Sequence, residues 1–188
     1  MELKQLTVEE RNKALDLFET PVQFRPEALK MLSQQELKLI LLMEKACIPE
    51  NELVQKIKKA GLARDPESLS TSAYTRAVLR KGRDENGDLQ YQGTDFYSRY
   101  PYYAQYEYEE YVRIPRARRD LRNEWDFEVY LSMFQDVVKA KARGEDVFMH
   151  DGDFMTLEEA CEAVMQQDFI CRVPCNCKYM MDLTDKPR

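Results

Sequence analysis

The succession of three capped helical segments and a tight hairpin is the feature that most restricts the fold of this chain. Ser33-Gln-Gln-Glu36 has the form of a capping box and opens a helix with apolar residues at helical spacing. Pro49 starts a second helix that Gly61 ends, and Asp65-Pro66-Glu67 starts a third. Asp84 to Asp88 then contains the Asn-Gly pair that favours a tight hairpin. Three short helices followed by a hairpin predict a winged-helix-like module, a variant of helix-turn-helix.

The other segments extend this module into a mainly α protein with a small β component, an α+β fold. We expect an N-terminal helix in residues 1–20 and the winged-helix-like module, with a tyrosine-rich connection, in residues 21–115. A long helix is predicted for residues 116–144 and a cysteine-containing segment of iron–sulfur type for residues 145–188. The last segment is predicted to consist of a helix, then a short strand, and then the Cys-x-Cys pair.

Apolar patterns in the second half predict which side chains are buried. Eight of the eleven tyrosines fall between Tyr91 and Tyr111. A surface on which nucleic-acid bases stack needs basic residues between its aromatic rings, and here Arg99 alone lies among them. We therefore interpret these tyrosines as packing residues. Thr156-Leu-Glu-Glu159 is a second capping box, and the alternation in Asp168 to Val173 favours a short strand. The long helix is predicted to bury a stripe of apolar residues at helical spacing. The stripe consists of Leu121, Trp125, Val129, Met133 and Val137.

The cysteines indicate metal or redox chemistry. Four of the five, Cys161, Cys171, Cys175 and Cys177, fall within the last 28 residues, and clustering of this kind in a cytosolic chain favours metal over disulfides. Cys175 and Cys177 flank one residue after a proline, and two thiolates that close can bind one metal or cluster. We expect Cys47 and Cys161 in the core, and leave Cys171 open between core and ligand.

Zinc is the alternative to an iron–sulfur cluster at these cysteines. A zinc site usually takes two Cys-x-x-Cys pairs, which the sequence lacks. The chain has one histidine, His150, in a predicted polar linker from Glu145 to Met155, so histidine-rich metal sites are excluded.

The segment from Thr156 to Lys178 resembles part of the uncharacterised iron–sulfur-binding proteins of anaerobic bacteria and archaea. In that family a winged-helix-like region precedes a helix, a short strand and a Cys-x-Cys followed by a basic residue. Cys175, Cys177 and Lys178 match that pattern, as does Asp185-Lys186-Pro187.

The resemblance implies a 4Fe-4S cluster with Cys175 and Cys177 among its ligands, in electron transfer or redox sensing. It also implies a ferredoxin-like domain or another redox protein as partner. The family's third and fourth cysteines are missing before and after Asp185-Lys186-Pro187, so we expect a fragment of a longer protein. Cys161 and Cys171 are candidates for the remaining ligands, although the family pattern does not include them.

Two other functions compete with this interpretation. Between Lys56 and Arg83 there are eight basic and two acidic residues, a local net charge of +6, which favours a DNA-binding regulator even though the whole chain carries −6. Its candidate contacts are Arg76, Arg80, Lys81 and Arg83. The third function is a docking module without metal, with the tyrosine-rich region as its contact surface.

Enzymatic activity and a membrane location are not expected. The sequence has no Gly-x-Ser-x-Gly motif and only six glycines, too few to suggest a phosphate-cradling loop. The longest apolar run, Leu39–Met43, is far shorter than the ~20 residues that cross a bilayer. The N-terminus has no secretory pattern, so we expect a cytoplasmic protein.

Overall fold

The computed structural model describes residues 4–145 and 156–183, which fall into two compact units. The first unit combines residues 4–114 with residues 176–183, and the second contains residues 115–145 and 156–175. The structure is mainly helical with one small antiparallel sheet, as the sequence predicts. Among the described residues, no helix is both long enough and apolar enough to cross a membrane.

The first unit begins with helices that surround a small apolar core. Helix α1 (Val8–Leu17) starts at a capping box of Thr7 and Glu10. A 3-10 turn at Val22–Phe24 leads directly into α2 (Arg25–Met31). This turn and α2 were not predicted, because their sequence carries no capping box and no clear period.

A helix–strand–helix–helix–hairpin order follows. The three helices and the hairpin occur in the order that the sequence predicts, whereas the strand between the first two helices was not predicted. The Ser33 capping box is confirmed, since the Ser33 hydroxyl accepts from the Glu36 backbone N–H while the Glu36 carboxylate accepts from the Ser33 N–H. The elements are α3 (Gln34–Met43), β1 (Ile48–Pro49), α4 (Glu50–Lys59), α5 (Pro66–Thr75), β2 (Leu79–Arg83) and β3 (Leu89–Gly93).

The hairpin forms the wing and pairs with the short strand β1. All pairs are antiparallel, with β3 in the middle of the sheet, so that Tyr91 lies between Ile48 and Lys81. Gly87 has φ +88°, the left-handed conformation that glycine adopts without a steric cost. The Asp84 carboxylate accepts from the backbone N–H groups of Asn86 and Asp88, each at 2.9 Å, and closes the turn.

The tyrosine-rich region folds into two helices, and a third helix from the C-terminal part of the chain packs against them. These are α6 (Phe96–Tyr106), α7 (Tyr108–Tyr111) and, after the second unit, α10 (Asn176–Met180). Tyr100 and Tyr111 are fully buried and meet edge to face with ring centroids 5.7 Å apart. Phe96 stacks on Phe24 at 5.8 Å. The interpretation of these rings as packing residues is confirmed for Tyr91, Tyr100, Tyr103 and Tyr111, which are buried, but not for Tyr97 and Tyr106, which are exposed.

The second unit contains the long helix α8 (Arg116–Ala142) and the helix α9 (Leu157–Met165), both where they were predicted. The predicted buried stripe of α8 is wrong. Leu121, Val129 and Met133 are exposed, and Trp125 and Val137 are only partly buried. The spacing was helical, but the described residues of this unit do not cover that face.

The predicted strand at Asp168–Val173 is also wrong, because this segment has no regular structure. Its alternating side chains are exposed, including Phe169 at 81%. A strand needs a neighbouring strand for its backbone hydrogen bonds, and β1, β2 and β3 all belong to the first unit.

The compact units and the predicted segments share the boundary near residue 115 but differ at the C-terminal end. Residues 176–183 belong with the first unit rather than with a separate cysteine segment. Residues 146–155 of the predicted linker, with His150, and residues 184–188, with the Asp-Lys-Pro sequence, lie outside the described residues.

Candidate functional site

The Cys-x-Cys pair lies at the start of α10. Cys175 directly precedes this helix and is half-buried, and Cys177 is exposed in its first turn. The Asn176 side-chain oxygen accepts from the Cys177 backbone N–H at 2.7 Å and lies 3.4 Å from the Cys177 Sγ. The intervening asparagine therefore orders the backbone between the two thiols.

Helix α10 is fixed to the first unit by two tyrosines. The Tyr111 hydroxyl donates to the Met180 carbonyl oxygen at 3.0 Å, and Met180 is buried. The Tyr108 and Tyr179 rings meet edge to face at 5.1 Å. These anchoring residues were missed from the sequence, because nothing local links Tyr111 to a helix that begins 65 residues later.

The other cysteines lie on the surface. Cys161 on α9, Cys171 in the irregular segment after it and Cys47 after α3 are all exposed. The prediction that Cys47 and Cys161 belong to the core is therefore wrong. All five cysteines are among the described residues, and none of them forms a disulfide.

The four candidate metal ligands do not come together. Within residues 4–145 and 156–183, no group of three or more histidine, cysteine, aspartate or glutamate side chains is placed to hold a metal ion. Cys175 and Cys177 are brought together by sequence alone, without Cys161 or Cys171. The described residues therefore fit part of a cluster ligand set and not a complete one.

The candidate DNA contact Arg76 takes part in an ion-pair network inside the first unit. Its guanidinium donates to Glu36 at 2.7 Å, to Glu107 at 2.8 Å and to the Met31 carbonyl at 2.9 Å. Arg99, fully buried, donates to the other Glu107 oxygen at 2.6 Å and to the same carbonyl at 3.1 Å. Arg76 therefore links α3 to the residue between α6 and α7, and three of its hydrogen-bond donors are used inside the first unit, although its side chain is one third exposed.

The two arginines of this network respond differently to their surroundings. Burial lowers the pKa of Arg99, and the neighbouring charge of Glu107 only partly offsets it. Burial also acts against Arg76, but its hydrogen bond and charge interaction with Glu36, followed by those with Glu107, raise its pKa overall. Both guanidinium groups are charged at neutral pH, because an arginine side chain is not deprotonated in proteins.

The three remaining basic candidates lie on the wing. Arg80 donates to the Gln92 side-chain oxygen at 2.9 Å, and Arg83 donates to the Gly87 carbonyl at 2.5 Å. Lys81 reaches Glu50 at 3.4 Å, and its hydrogen bond with Tyr91 raises its pKa. Since neighbouring residues on a strand point to opposite faces, Arg80 lies on one face of the wing and Lys81 and Arg83 on the other.

The exposed face of α5 is polar but carries no positive charge. Ser68, Thr71, Ser72 and Thr75 are exposed on it, and hydroxyl groups of this kind donate hydrogen bonds to phosphate oxygens. Lys58, Lys59 and Arg64 are exposed on and after the preceding helix α4. The positive charge of this region is thus spread over α4 and the wing.

The exposed apolar side chains are concentrated on α8 and not in the tyrosine-rich region. In the tyrosine-rich region, Tyr91, Tyr100, Tyr103 and Tyr111 are buried, and the contact surface predicted for a docking module is left to the exposed Tyr97 and Tyr106. The α8 side chains exposed by at least two fifths are Leu121, Phe127, Tyr130, Leu131, Met133, Phe134 and Val138. Exposed apolar surface of this extent is typical of a protein-binding site.

Comparison of the chain with protein-family models, with curated proteins and with solved structures found no match.

Proposed function

We propose that this chain is an iron–sulfur-binding protein that acts in electron transfer or redox sensing in the cytoplasm. The observation that carries the proposal is the Cys175-Asn-Cys177 pair, placed at the start of a helix that Tyr108 and Tyr111 anchor. A bound cluster supplies one-electron chemistry at a potential set by its surroundings. The chain contributes two thiols whose backbone is held in place before any ligand binds.

The ligand set requires more thiols than this pair. A 4Fe-4S cluster takes about four thiolates, of which Cys175 and Cys177 supply two. The others come from Cys161 and Cys171 after a rearrangement, or from a ferredoxin-like domain or another redox partner protein. Zinc is the alternative metal, since two thiolates also suit half of a tetrahedral zinc site.

Metal analysis of cysteine variants tests this proposal. The full chain is reconstituted with iron and sulfide without oxygen, and its iron, sulfide and zinc contents and absorbance spectrum are measured. We expect iron and sulfide to bind to the wild type and to be lost in Cys175→Ser/Cys177→Ser. In Cys47→Ser, the matched control for loss of an exposed thiol, iron and sulfide are retained.

Three results separate the alternatives. Loss of iron in Cys161→Ser/Cys171→Ser places all the ligands in one chain, and retention assigns the remaining ligands to a second copy of the chain, since no other protein is present. Zinc without sulfide indicates a zinc site. A wild type that takes up neither iron nor sulfide, or a Cys175→Ser/Cys177→Ser variant that takes up as much as the wild type, contradicts the proposal.

Binding of duplex DNA by the winged-helix-like module is the second candidate function. It rests on the order of elements together with the exposed basic side chains Arg80, Lys81 and Arg83 of the wing. In a module of this kind the second helix of the helix–turn–helix pair enters the major groove and nearby cations contact phosphates. Arg76 is not included, because Glu36 and Glu107 hold it in the internal network.

Salt dependence of binding tests the DNA candidate. Each phosphate contact contributes a slope of about −0.9 to the plot of log K against log salt. We expect Arg80→Ala/Lys81→Ala/Arg83→Ala to weaken binding and to reduce that slope by up to about 2.7, measured by fluorescence anisotropy. Lys139→Ala/Arg143→Ala/Arg172→Ala removes the same charge from exposed positions of the second unit and should leave the slope unchanged. Equal effects of the two triple variants would exclude contacts through the wing.

A further inference from the structure

Helix α8 carries a regular seam of exposed apolar side chains. Phe127, Leu131, Phe134 and Val138 follow one another at spacings of four, three and four residues. They are exposed by 67%, 41%, 51% and 50%. Tyr130, which is 53% exposed, lies beside the seam.

Spacing of this kind is that of alternating d and a positions in a coiled coil, with Phe127 and Phe134 at d and Leu131 and Val138 at a. Tyr130 and Val137 then occupy g positions, which widens the apolar stripe on one side. A helix with such a stripe gains stability by placing it against another helix. The seam therefore predicts a helical partner.

Two charged residues end the seam and identify that partner. Glu124 lies three residues before Phe127, at the preceding a position, and Lys141 lies three residues after Val138, at the following d position. Both side chains are exposed. A second α8 in antiparallel orientation would place Glu124 opposite Lys141, Phe127 opposite Val138, and Leu131 opposite Phe134. A parallel second α8 would instead place like charges opposite each other at both ends.

We propose that α8 pairs with α8 of a second copy of this chain, antiparallel, about a two-fold axis that passes between Ser132 and Met133. Two-fold symmetry makes each pairing occur twice, so the dimer contains two Glu124–Lys141 ion pairs at the ends of one apolar seam. This dimer goes beyond the proposed iron–sulfur function and does not depend on it.

The size of the seam predicts a dimer of modest affinity. Helix α8 has 27 residues and is thus about 40 Å long. The exposed seam side chains and Tyr130 offer roughly 600 Å² per copy, which lies at the small end of specific interfaces. We therefore expect a dissociation constant on the order of micromolar.

Sedimentation equilibrium of the full chain, with the cysteines kept reduced, tests the seam. The wild type should be dimeric well above the dissociation constant and dissociate on dilution. Phe134→Glu places a charge in the seam and should yield a monomer at all concentrations. Val129→Glu adds the same charge at an exposed apolar position on the far side of α8 and should leave the dimer intact. Far-UV circular dichroism checks that both variants keep the helix.

A charge-exchange experiment tests the antiparallel orientation. Glu124→Lys alone creates two Lys–Lys contacts and Lys141→Glu alone creates two Glu–Glu contacts, so each variant should dimerise at least about tenfold more weakly than the wild type. An equimolar mixture of the two variants restores both ion pairs and should dimerise about as tightly as the wild type. A parallel pairing gives a different pattern, because the wild type would then already hold like charges opposite each other at both ends. Neither single variant would dimerise more weakly than the wild type, and the mixture would dimerise more tightly than the wild type.

Three outcomes would overturn the proposal. A wild type that stays monomeric at about 100 times the expected dissociation constant shows that no second copy covers the seam. Equal effects of Phe134→Glu and Val129→Glu place any dimer contact elsewhere. Weak dimerisation in the mixture of charge variants excludes the antiparallel pairing.

Discussion

At the scale of single residues, the first unit depends on a charged network in an otherwise apolar core. Arg99 is fully buried, and its guanidinium bonds the Glu107 carboxylate and the Met31 carbonyl oxygen. Arg76 bonds both of these groups from the other side. Removal of one member of such a network leaves buried polar groups without their partners. The resulting loss of folding stability is larger than the net stabilisation that an average ion pair provides.

Arg99→Met should destabilise the first unit by about 2–4 kcal/mol, because methionine fills much of the space but leaves one Glu107 oxygen without its hydrogen bond and the Met31 carbonyl with Arg76 as its remaining donor. The measurement is urea unfolding followed by circular dichroism. The control is Arg113→Met, which breaks the exposed Arg113–Glu110 pair and should cost at most about 0.5 kcal/mol. Similar losses for the two variants would show that the buried network contributes little to stability.

At the scale of elements, local capping and turn residues were sufficient to predict where helices and turns form. They were not sufficient to predict which side chains are buried or which distant residues they contact. The boxes at Ser33 and Thr156 start helices as expected, and Asn86-Gly87 forms the hairpin turn, because these signals act within a few residues. Helix α6 contains Pro101 in its interior and many aromatic residues, so its sequence disfavours a helix that tertiary packing nevertheless stabilises.

The candidate site shows the same division between local and distant signals. The pattern of Cys175 and Cys177 was visible in the sequence, but the tyrosines that anchor their helix come from a distant segment. The alternation in residues 168–173 satisfied the pattern of a strand without supplying the neighbouring strand that it needs. Arg76 looked like a DNA contact because local charge does not show that Glu36, forty residues earlier, already binds it.

Ser33→Ala should destabilise the first unit by about 0.5–2 kcal/mol, since it removes the hydroxyl that accepts from the first turn of α3. Ser33→Thr keeps the hydroxyl acceptor and should retain most of the stability. Thermal unfolding of the three proteins gives the comparison, and an equal loss in the alanine and threonine variants would contradict the role of the cap.

At the scale of the whole molecule, the chain leaves the first unit after Ile114 and returns to it at Asn176. Helix α10 is therefore a distant part of a unit whose other elements are consecutive in sequence. The single tryptophan, Trp125, belongs to the second unit, and ten of the eleven tyrosines belong to the first. Fluorescence from the two residue types thus reports mainly on different units.

A chain that ends after Cys175 should lose stability in the first unit alone. The truncation removes α10, so the Tyr111 hydroxyl loses its acceptor at Met180 and the rings of Tyr108 and Tyr111 lose apolar contacts. We expect the free energy of unfolding of the first unit to fall by about 2–4 kcal/mol. The measurement is urea unfolding followed by tyrosine fluorescence. Both chains carry Trp125→Phe, which removes energy transfer from the tyrosines to the tryptophan. Tyr111→Phe in the full chain removes only the hydrogen bond and should cost about 1 kcal/mol. A tyrosine transition that is unchanged by the truncation would show that the first unit is complete without α10, and that Tyr108 and Tyr111 do not fix the helix that carries Cys177.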